Sequence, residues 1–173
     1  MKKSISIISS LFVIGIGTLN HFMYDWFPFP LVGIFTPVNE SIFEHLKLVF
    51  YPFLITIIIR FFFINKKDYF VKAAVSSIAG IITIPILYYL IKLFVNPTTI
   101  VNIIIFILAC LIQEFCFYKL INKESTDYYI KNPEGVIVIL SISLAFSVLT
   151  FNPPKIELFL DPTTKTYGIY NEK

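Results

Sequence analysis

The side chains best suited to chemistry in this sequence lie in two polar clusters near the N-terminus, separated by a short apolar stretch. The first cluster contains His21 and Asp25, and the second contains Glu40, Glu44 and His45. Imidazole and carboxylate groups together are ligands for zinc or a similar divalent ion. A further carboxylate can act as a general base on a metal-bound water. We therefore consider His21, Asp25 and His45 as metal ligands, with Glu40 and Glu44 as catalytic groups.

The same residues also admit a structural interpretation. Lys47 follows Glu44 by three residues, a spacing that permits an ion pair on one helix face. Glu40 would stabilise the start of that helix, where a carboxylate is favoured by the helix dipole. His21 and Asp25 are four residues apart on one face and could hydrogen-bond to each other at the level of the lipid head groups. The sequence leaves the functional and the structural interpretations open.

The composition of the chain decides the environment in which these clusters must work. Hydrophobic residues make up 57% of the 173 residues, charged residues make up 14%, and the mean hydropathy is +0.79. Soluble domains carry about 25% charged residues. The composition therefore indicates an integral membrane protein, and the chain has no basic face that would bind nucleic acid.

Helices that cross a bilayer need about 20 apolar residues, because the hydrocarbon core is roughly 30 Å thick. We predict an all-α membrane protein with five such helices, located in the cell membrane as a multi-pass protein. The five predicted spans are Ile5–Tyr24, Pro37–Ile64, Phe70–Val95, Thr99–Leu120 and Glu134–Phe151.

The distribution of lysines predicts the orientation of these spans, since cytoplasmic loops carry the excess of positive charge. Lysines flank one set of helix ends: Lys2, Lys3, Lys66, Lys67, Lys72, Lys119, Lys123 and Lys131. We therefore place the N-terminus in the cytoplasm and the C-terminal tail outside, although the tail also carries three lysines: Lys155, Lys165 and Lys173. Both polar clusters and the tail then meet at one extracytoplasmic surface.

The second predicted helix is long enough to project beyond the bilayer. Thr36 is a candidate N-cap and Pro37 a candidate first residue. A helix over Pro37–Ile64 would be about 42 Å long at 1.5 Å per residue. Glu40 would lie in its first turn, and Pro52 would kink it one turn earlier.

The C-terminal tail contains two β-prone runs, residues 156–160 and 166–170, on either side of a turn that begins with Asp161. An Asp-Pro pair favours a turn, so the sequence predicts a short hairpin. An isolated hairpin is marginal in water. We therefore expect it to pack over the polar clusters as a lid or plug, and we divide the chain into a transmembrane domain, 1–151, and an extracytoplasmic tail, 152–173.

Three further charged residues inside the predicted spans bear on how the helices pack or on the outer surface: Arg60, Lys92 and Glu114. Arg60 and Glu114 lie at similar depths in different helices, where pairing reduces the cost of burying each charge. We predict that they form an interhelical ion pair with a structural role. Lys92 lies near the outer end of its helix, where its side chain could extend toward the head groups or supply a cation to the outer surface.

Two motifs at opposite ends of the chain resemble one family of small bacterial polytopic membrane proteins of unknown function. The N-terminal motif is His21-x-x-x-Asp25-Trp26 followed by Pro37-Val38-Asn39-Glu40-Ser41-x-x-Glu44-His45-x-Lys47. The C-terminal motif is Pro153-Pro154 followed by Leu158-Phe159-x-Asp161-Pro162-x-Thr164-x-Thr166-Tyr167-Gly168. The resemblance implies a multi-pass fold and draws attention to Asn39, Lys47, Asp161 and Tyr167 as motif residues. That family tends to have glycine where this chain has Lys165.

Three classes of function agree with these observations. We favour an accessory or interaction protein of the cell envelope, whose polar surface and tail bind a membrane-protein partner. The alternatives are a membrane-embedded metal-dependent hydrolase or transferase, acting on a lipid or another envelope substrate, and an ion or small-solute transporter. All three place the chain in the lipid bilayer, and only the enzyme requires a divalent metal such as zinc.

Overall fold

The computed structural model describes residues 1–64, 66, 68–123 and 132–170. Within these residues the chain forms six α-helices and no β-strand. The helices are α1 Lys3–Trp26, α2 Pro30–Phe35, α3 Ile42–Phe61, α4 Tyr69–Lys92, α5 Thr99–Asn122 and α6 Asn132–Phe151. The predicted all-α class is confirmed.

Five of these helices are long and apolar enough to cross a membrane, counted over the described part of the chain. They are α1, α3, α4, α5 and the stretch of α6 from Pro133 to Phe151. Many large apolar side chains on their outer faces are exposed, such as Ile8 and Leu11 on α1 and Leu144 on α6. Water would disfavour such a surface, whereas lipid chains would cover it.

Long helices that follow one another in the chain run in alternating directions, which gathers their ends at two opposite sides. Asn122 at the end of α5 donates to the backbone oxygen of Met1 over 3.2 Å, and Lys72 donates to the oxygen of Lys123 over 3.2 Å. Gly135 in the first turn of α6 lies against the backbone of α4. The lysine-flanked ends therefore lie together; Lys67, Lys131 and Lys173, which also entered the orientation prediction, lie outside the described residues.

Helix α3 forms the centre of the bundle and is the most buried of the five long helices in the described part of the chain. The predicted ion pair joins it to α5: the guanidinium of Arg60 donates to both oxygens of Glu114, over 2.8 and 2.9 Å. Thr56 accepts two further bonds from Arg60, and the guanidinium lies 4.6 Å from the centre of the Phe117 ring. The charges are thus paired, and the remaining donors of Arg60 are largely satisfied.

The predicted start of the second span is wrong, because α3 begins at Ile42 and not at Pro37. The side chain of Ser41 caps the helix by accepting from the Glu44 backbone N–H at 3.3 Å. Thr36 instead ends the preceding short helix, since its N–H donates to Val32. With 20 residues, α3 is about 30 Å long. Glu40 therefore precedes the helix and does not share a face with Glu44.

The apolar stretch between the two clusters contains the short helix α2, which begins with Pro30. A proline suits the first turn of a helix, because its missing N–H would have no partner there. The side chain of Asn20 in α1 donates to the carbonyl of Phe35 at 2.9 Å. This bond holds the end of α2 beside α1 and brings the following residues toward the end of the bundle.

The predicted hairpin in the tail is present only as a turn. One antiparallel bridge joins Leu160 to Tyr167, and residues 157–159 form a 3₁₀ turn where a strand was expected. The Asp161 carboxylate accepts from the N–H groups of Thr163 and Thr164 at 2.7 and 3.2 Å. These bonds close the turn, and the residues before it pack on helix α3 instead of forming a strand.

Candidate functional site

Three of the sequence-predicted groups meet at the end of the bundle opposite the lysine-flanked ends. The Nε2 atoms of His21 and His45 are 3.2 Å apart. The Oε1 atom of Glu40 lies 3.6 Å from Nε2 of His21, and its Oε2 atom lies 3.5 Å from Nε2 of His45. Each of the three residues offers one ligand atom, and these atoms all lie within 4.8 Å of one another. We refer to His21, Glu40 and His45 as the histidine–glutamate cluster.

A close approach of two helices allows this meeting. Gly17 is buried on α1, one turn before His21. A Cβ atom at Gly17 would lie 2.6 Å from the Leu48 carbonyl of α3, so the helices could not approach as closely with a larger residue. Because Leu48 follows His45 by three residues on α3, the same contact brings His21 and His45 together.

The orientation of His45 is set by a hydrogen bond to the backbone. Its Nδ1 atom lies 2.8 Å from the carbonyl oxygen of Ser41, and a carbonyl can only accept. Nδ1 therefore carries the proton, and the lone pair of Nε2 faces His21 and Glu40. Histidines that bind metals are held in this way, by a hydrogen bond from the nitrogen that does not bind the metal.

The separation of the two histidine nitrogens agrees with tetrahedral zinc. With zinc bonded to nitrogen and oxygen at about 2.0–2.1 Å, adjacent ligand atoms are separated by about 3.3–3.4 Å. The two Nε2 atoms are 3.2 Å apart. Glu40 approaches each nitrogen with a different oxygen, at 3.6 and 3.5 Å, and one carboxylate oxygen lies within 4.8 Å of both nitrogens. A rotation of the Glu40 carboxylate would bring that single oxygen to the distance that zinc requires.

Glu44 lies apart from this cluster in a buried network with Lys47. The ammonium group of Lys47 donates to Glu44 at 2.6 Å and to the carbonyls of Gly33 and Thr36 at 2.7 and 3.2 Å. Glu44 also accepts from Thr150 of α6 at 2.8 Å and from the backbone of Val38 at 3.1 Å. These contacts connect α3, α6 and the segment after α2. They are the contacts of the structural ion pair, while the catalytic role of Glu44 stays a prediction.

Asp25 is exposed in the last turn of α1 and is not one of the three residues in the cluster. It follows His21 by one helical turn, or about 6 Å along the axis. Among the described residues, Glu40 is the carboxylate that lies with both histidines, while the role of Asp25 as a metal ligand stays a prediction.

A cavity of about 300 Å³ adjoins the cluster, and Glu40 and His45 lie in its wall. The tail and helices α3, α4 and α5 enclose it. Its other polar lining residues are Tyr88, Lys92, Asn102, Glu157 and Lys165, and its apolar lining residues are Ile42, Ile84, Ile105, Phe106, Leu160 and Pro162. Lys92 contacts the carboxylate of Glu157, so two charges in this wall neutralise each other.

The tail reaches the cavity through contacts with the residues around Glu40. Asn39 donates to the carbonyl of Gly168 at 3.2 Å, and the Glu40 N–H donates to Asp161 at 3.5 Å. The ring of Phe159 packs on Phe43, with 4.3 Å between their centres. The motif residues Asn39 and Asp161 therefore join the two ends of the chain beside the cluster.

The backbone of the tail explains two of its residues. Gly168 has φ of +61°, and a Cβ there would lie 2.8 Å from the Thr150 carbonyl. Lys165 has φ of +59°, a left-handed conformation that glycine adopts more easily than lysine. This accounts for the glycine that the resembling family tends to have there. Tyr167 is partly buried against the apolar core and forms the bridge to Leu160.

Sequence reasoning missed Ser41, Thr150 and Glu157. Ser41 had a recognisable signal, since Ser followed three residues later by Glu is a capping pattern. Thr150 and Glu157 had none, because their partners Glu44 and Lys92 lie 106 and 65 residues away in the chain.

The fold and these contacts are those of a multi-pass α-helical membrane protein with a polar cluster at one end. The chain belongs to the family of unknown function DUF6512, whose model matches residues 1–169. No curated protein and no solved structure matches the chain.

Proposed function

We propose that this protein is a membrane-embedded metalloenzyme in which His21, Glu40 and His45 bind zinc or a similar divalent ion. The observation that carries the proposal is the convergence of three ligand atoms, all within 4.8 Å of one another, beside a cavity. Structural zinc sites have four protein ligands, whereas catalytic sites have three and leave a position for water or substrate. Two histidines and one glutamate form one of the ligand sets known for catalytic zinc.

The chemistry that fits such a centre is hydrolysis or group transfer. A bound zinc ion polarises the oxygen of an ester and activates a water molecule. In hydrolysis, the water oxygen forms a bond to the reacting carbon or phosphorus. The bond to the alcohol oxygen breaks, and the water's proton passes to the departing alcohol. Glu157 is the other carboxylate among the described lining residues, and it would have to leave its contact with Lys92 to carry that proton.

A direct hydrogen bond between the two imidazoles is the competing explanation of their separation. Because His45 is protonated at Nδ1, its Nε2 would accept a hydrogen bond from the Nε2–H of His21. Nδ1 of His21 has no partner among the described residues. It would be an unpaired acceptor in this arrangement and an unpaired donor when Nε2 binds a metal, so it favours neither explanation. A metal-free cluster of this kind would suit the accessory role, which stays a prediction, as does the transporter.

Metal analysis of protein purified without a histidine tag tests the proposal. We expect one zinc per chain after equilibration with zinc and dialysis, and a loss of most of this metal in His21→Ala and His45→Ala. Removal of zinc by a chelator should lower the melting temperature of the unmodified protein. These results follow from the ligand set, since removing one of three ligands leaves two.

Asp25→Asn is the matched control, because it removes a carboxylate that lies one turn from His21 but outside the cluster. We expect it to retain full zinc, whereas Glu40→Gln should lose it. Protein that binds no zinc and melts at the same temperature with and without chelator would refute the metal site and favour the accessory role.

A further inference from the structure

We propose that the cavity beside the histidine–glutamate cluster binds an amphiphile whose head group is a phosphate or a similar anion. The first methylene groups of its chain lie among apolar side chains of α4 and α5. This inference rests on the proposed function, because the metal supplies part of the charge that attracts the anion.

The wall of the cavity contains both charged and apolar side chains. Ile84 of α4 and Ile105 of α5 are buried side chains of the bundle that also face the cavity, and Phe106 and Leu160 adjoin them. Every methylene that leaves water for such a surface gains free energy, so a purely hydrophilic solute would leave this wall unused. A volume of about 300 Å³ holds roughly ten water-sized groups, enough for a head group and the first part of a chain.

The charges in the wall favour an anion once metal is bound. Lys92 is in contact with Glu157, whereas Lys165 has no ion-pair partner among the residues that the structure describes. The two positive charges of zinc exceed the single negative charge of Glu40. The loaded cavity is therefore positive, and the metal-free cavity is close to neutral.

Lys165 is held at the cavity by the turn of the tail. Its backbone N–H donates to the Asp161 carbonyl at 3.0 Å, and Asp161 in turn accepts from Glu40. The position of this cation is therefore linked to the segment that carries the metal ligand. Lys165 lines the same cavity as Glu40 and His45, so an anion in the cavity would have both a lysine and the metal in its surroundings, which suits phosphate.

Calorimetric titration of zinc-loaded protein in dodecyl maltoside micelles tests the inference with three probes: hexyl phosphate, inorganic phosphate and hexanol. We expect hexyl phosphate to bind at least about tenfold more tightly than either of the others, a difference of about one decade in Kd. Removal of zinc should abolish this preference. Equal affinities for hexyl phosphate and inorganic phosphate would show a phosphate site without a chain site. Equal affinities for hexyl phosphate and hexanol would show no anion site, and either result overturns the proposal.

Two variants divide the site into its parts. Lys165→Gln should weaken the binding of hexyl phosphate several-fold and leave the binding of hexanol unchanged. Lys155→Gln, which removes a tail lysine outside the cavity wall, should change the affinity for neither probe. Ile84→Trp should fill the cavity and reduce the affinity for hexyl phosphate to that for inorganic phosphate. If Lys165→Gln and Lys155→Gln behave alike, the assigned cation is wrong.

Zinc content measured on the same samples separates the two proposals. Protein without zinc refutes the metal site, and the anion inference is refuted with it. Protein that retains one zinc but shows no preference for hexyl phosphate refutes the substrate class alone. Zinc retained in Ile84→Trp also shows that this variant has kept its fold.

Discussion

At the scale of single residues, Gly17 is the position on which the cluster depends most. It has no chemistry of its own, yet the close contact with Leu48 brings α1 within reach of α3. His21 lies one turn further on the same face and meets His45. A small residue on a membrane helix thus allows two histidines on different helices to approach each other.

We expect Gly17→Ala to lower the free energy of unfolding by about 1–3 kcal/mol, because the added methyl overpacks the interface. It should also weaken zinc binding, since His21 would move away from His45. Zinc titration and detergent-induced unfolding measure the two effects.

Gly15→Ala is the control on the same helix, because a Cβ there has no neighbour within 4 Å. It should leave zinc affinity unchanged and should not destabilise the protein, since alanine favours a helix over glycine. Equal effects of the two substitutions on zinc binding would show that the approach of α1 to α3 does not position the ligands.

At the scale of secondary-structure elements, two buried ion pairs and their hydrogen-bond partners connect elements at opposite ends of the bundle. Glu44 and Lys47 hold the segment after α2 against α3 and α6, beside the cluster. Arg60 joins α3 to α5 at the other end, through both oxygens of Glu114. Each pair is buried, so the loss of one partner leaves a charge without compensation in a medium of low dielectric constant.

Arg60→Leu and Glu114→Leu should each destabilise the protein by about 3–5 kcal/mol, because each leaves the other charge unpaired. The double variant should be no less stable than the worse single variant, since it leaves no unpaired charge. Unfolding by sodium dodecyl sulfate in mixed micelles gives the three free energies.

Lys119→Leu provides the comparison, because Lys119 is an exposed lysine on the same helix as Glu114. Its effect should add to that of Arg60→Leu within about 0.5 kcal/mol. Additive losses for Arg60→Leu and Glu114→Leu would contradict the energetic coupling that the geometry implies.

At the scale of the whole molecule, the two ends of the bundle differ in charge. Among the described residues, the end that carries the N-terminus contains no part of the cluster. Six lysines lie at that end: Lys2, Lys3, Lys66, Lys72, Lys119 and Lys123. The opposite end carries the cluster, the cavity and the tail. The excess of lysines favours a cytoplasmic location for the first end, and we propose that the cluster faces outward.

This orientation predicts the labelling of single cysteines in intact cells, in a background with Cys110 and Cys116 replaced. Thr163→Cys in the exposed turn of the tail should react with a membrane-impermeant maleimide. Lys3→Cys should react only after the cells are permeabilised. The reverse pattern would place the cluster in the cytoplasm.

Much of the architecture follows from the sequence alone, for a physical reason. A bilayer requires long apolar helices whose backbone groups are satisfied within each helix, so composition and segment length were sufficient to predict five spans. The pairing of Arg60 with Glu114 was predictable in the same way, because a charge at that depth needs a partner and few candidates exist.

The grouping of Glu40 with the two histidines is visible only in the tertiary structure. The sequence grouped Asp25 with His21 and Glu40 with Glu44, because residues four apart on a helix lie on one face and a sequence reveals contacts of this kind. The helix starts at Ile42, however, and this later start leaves Glu40 outside it. Glu40 can then turn toward the histidines, while Glu44 faces Lys47. The cavity, the bridge to the tail and the approach at Gly17 depend on contacts between distant parts of the chain, and such contacts have no local pattern from which to predict them.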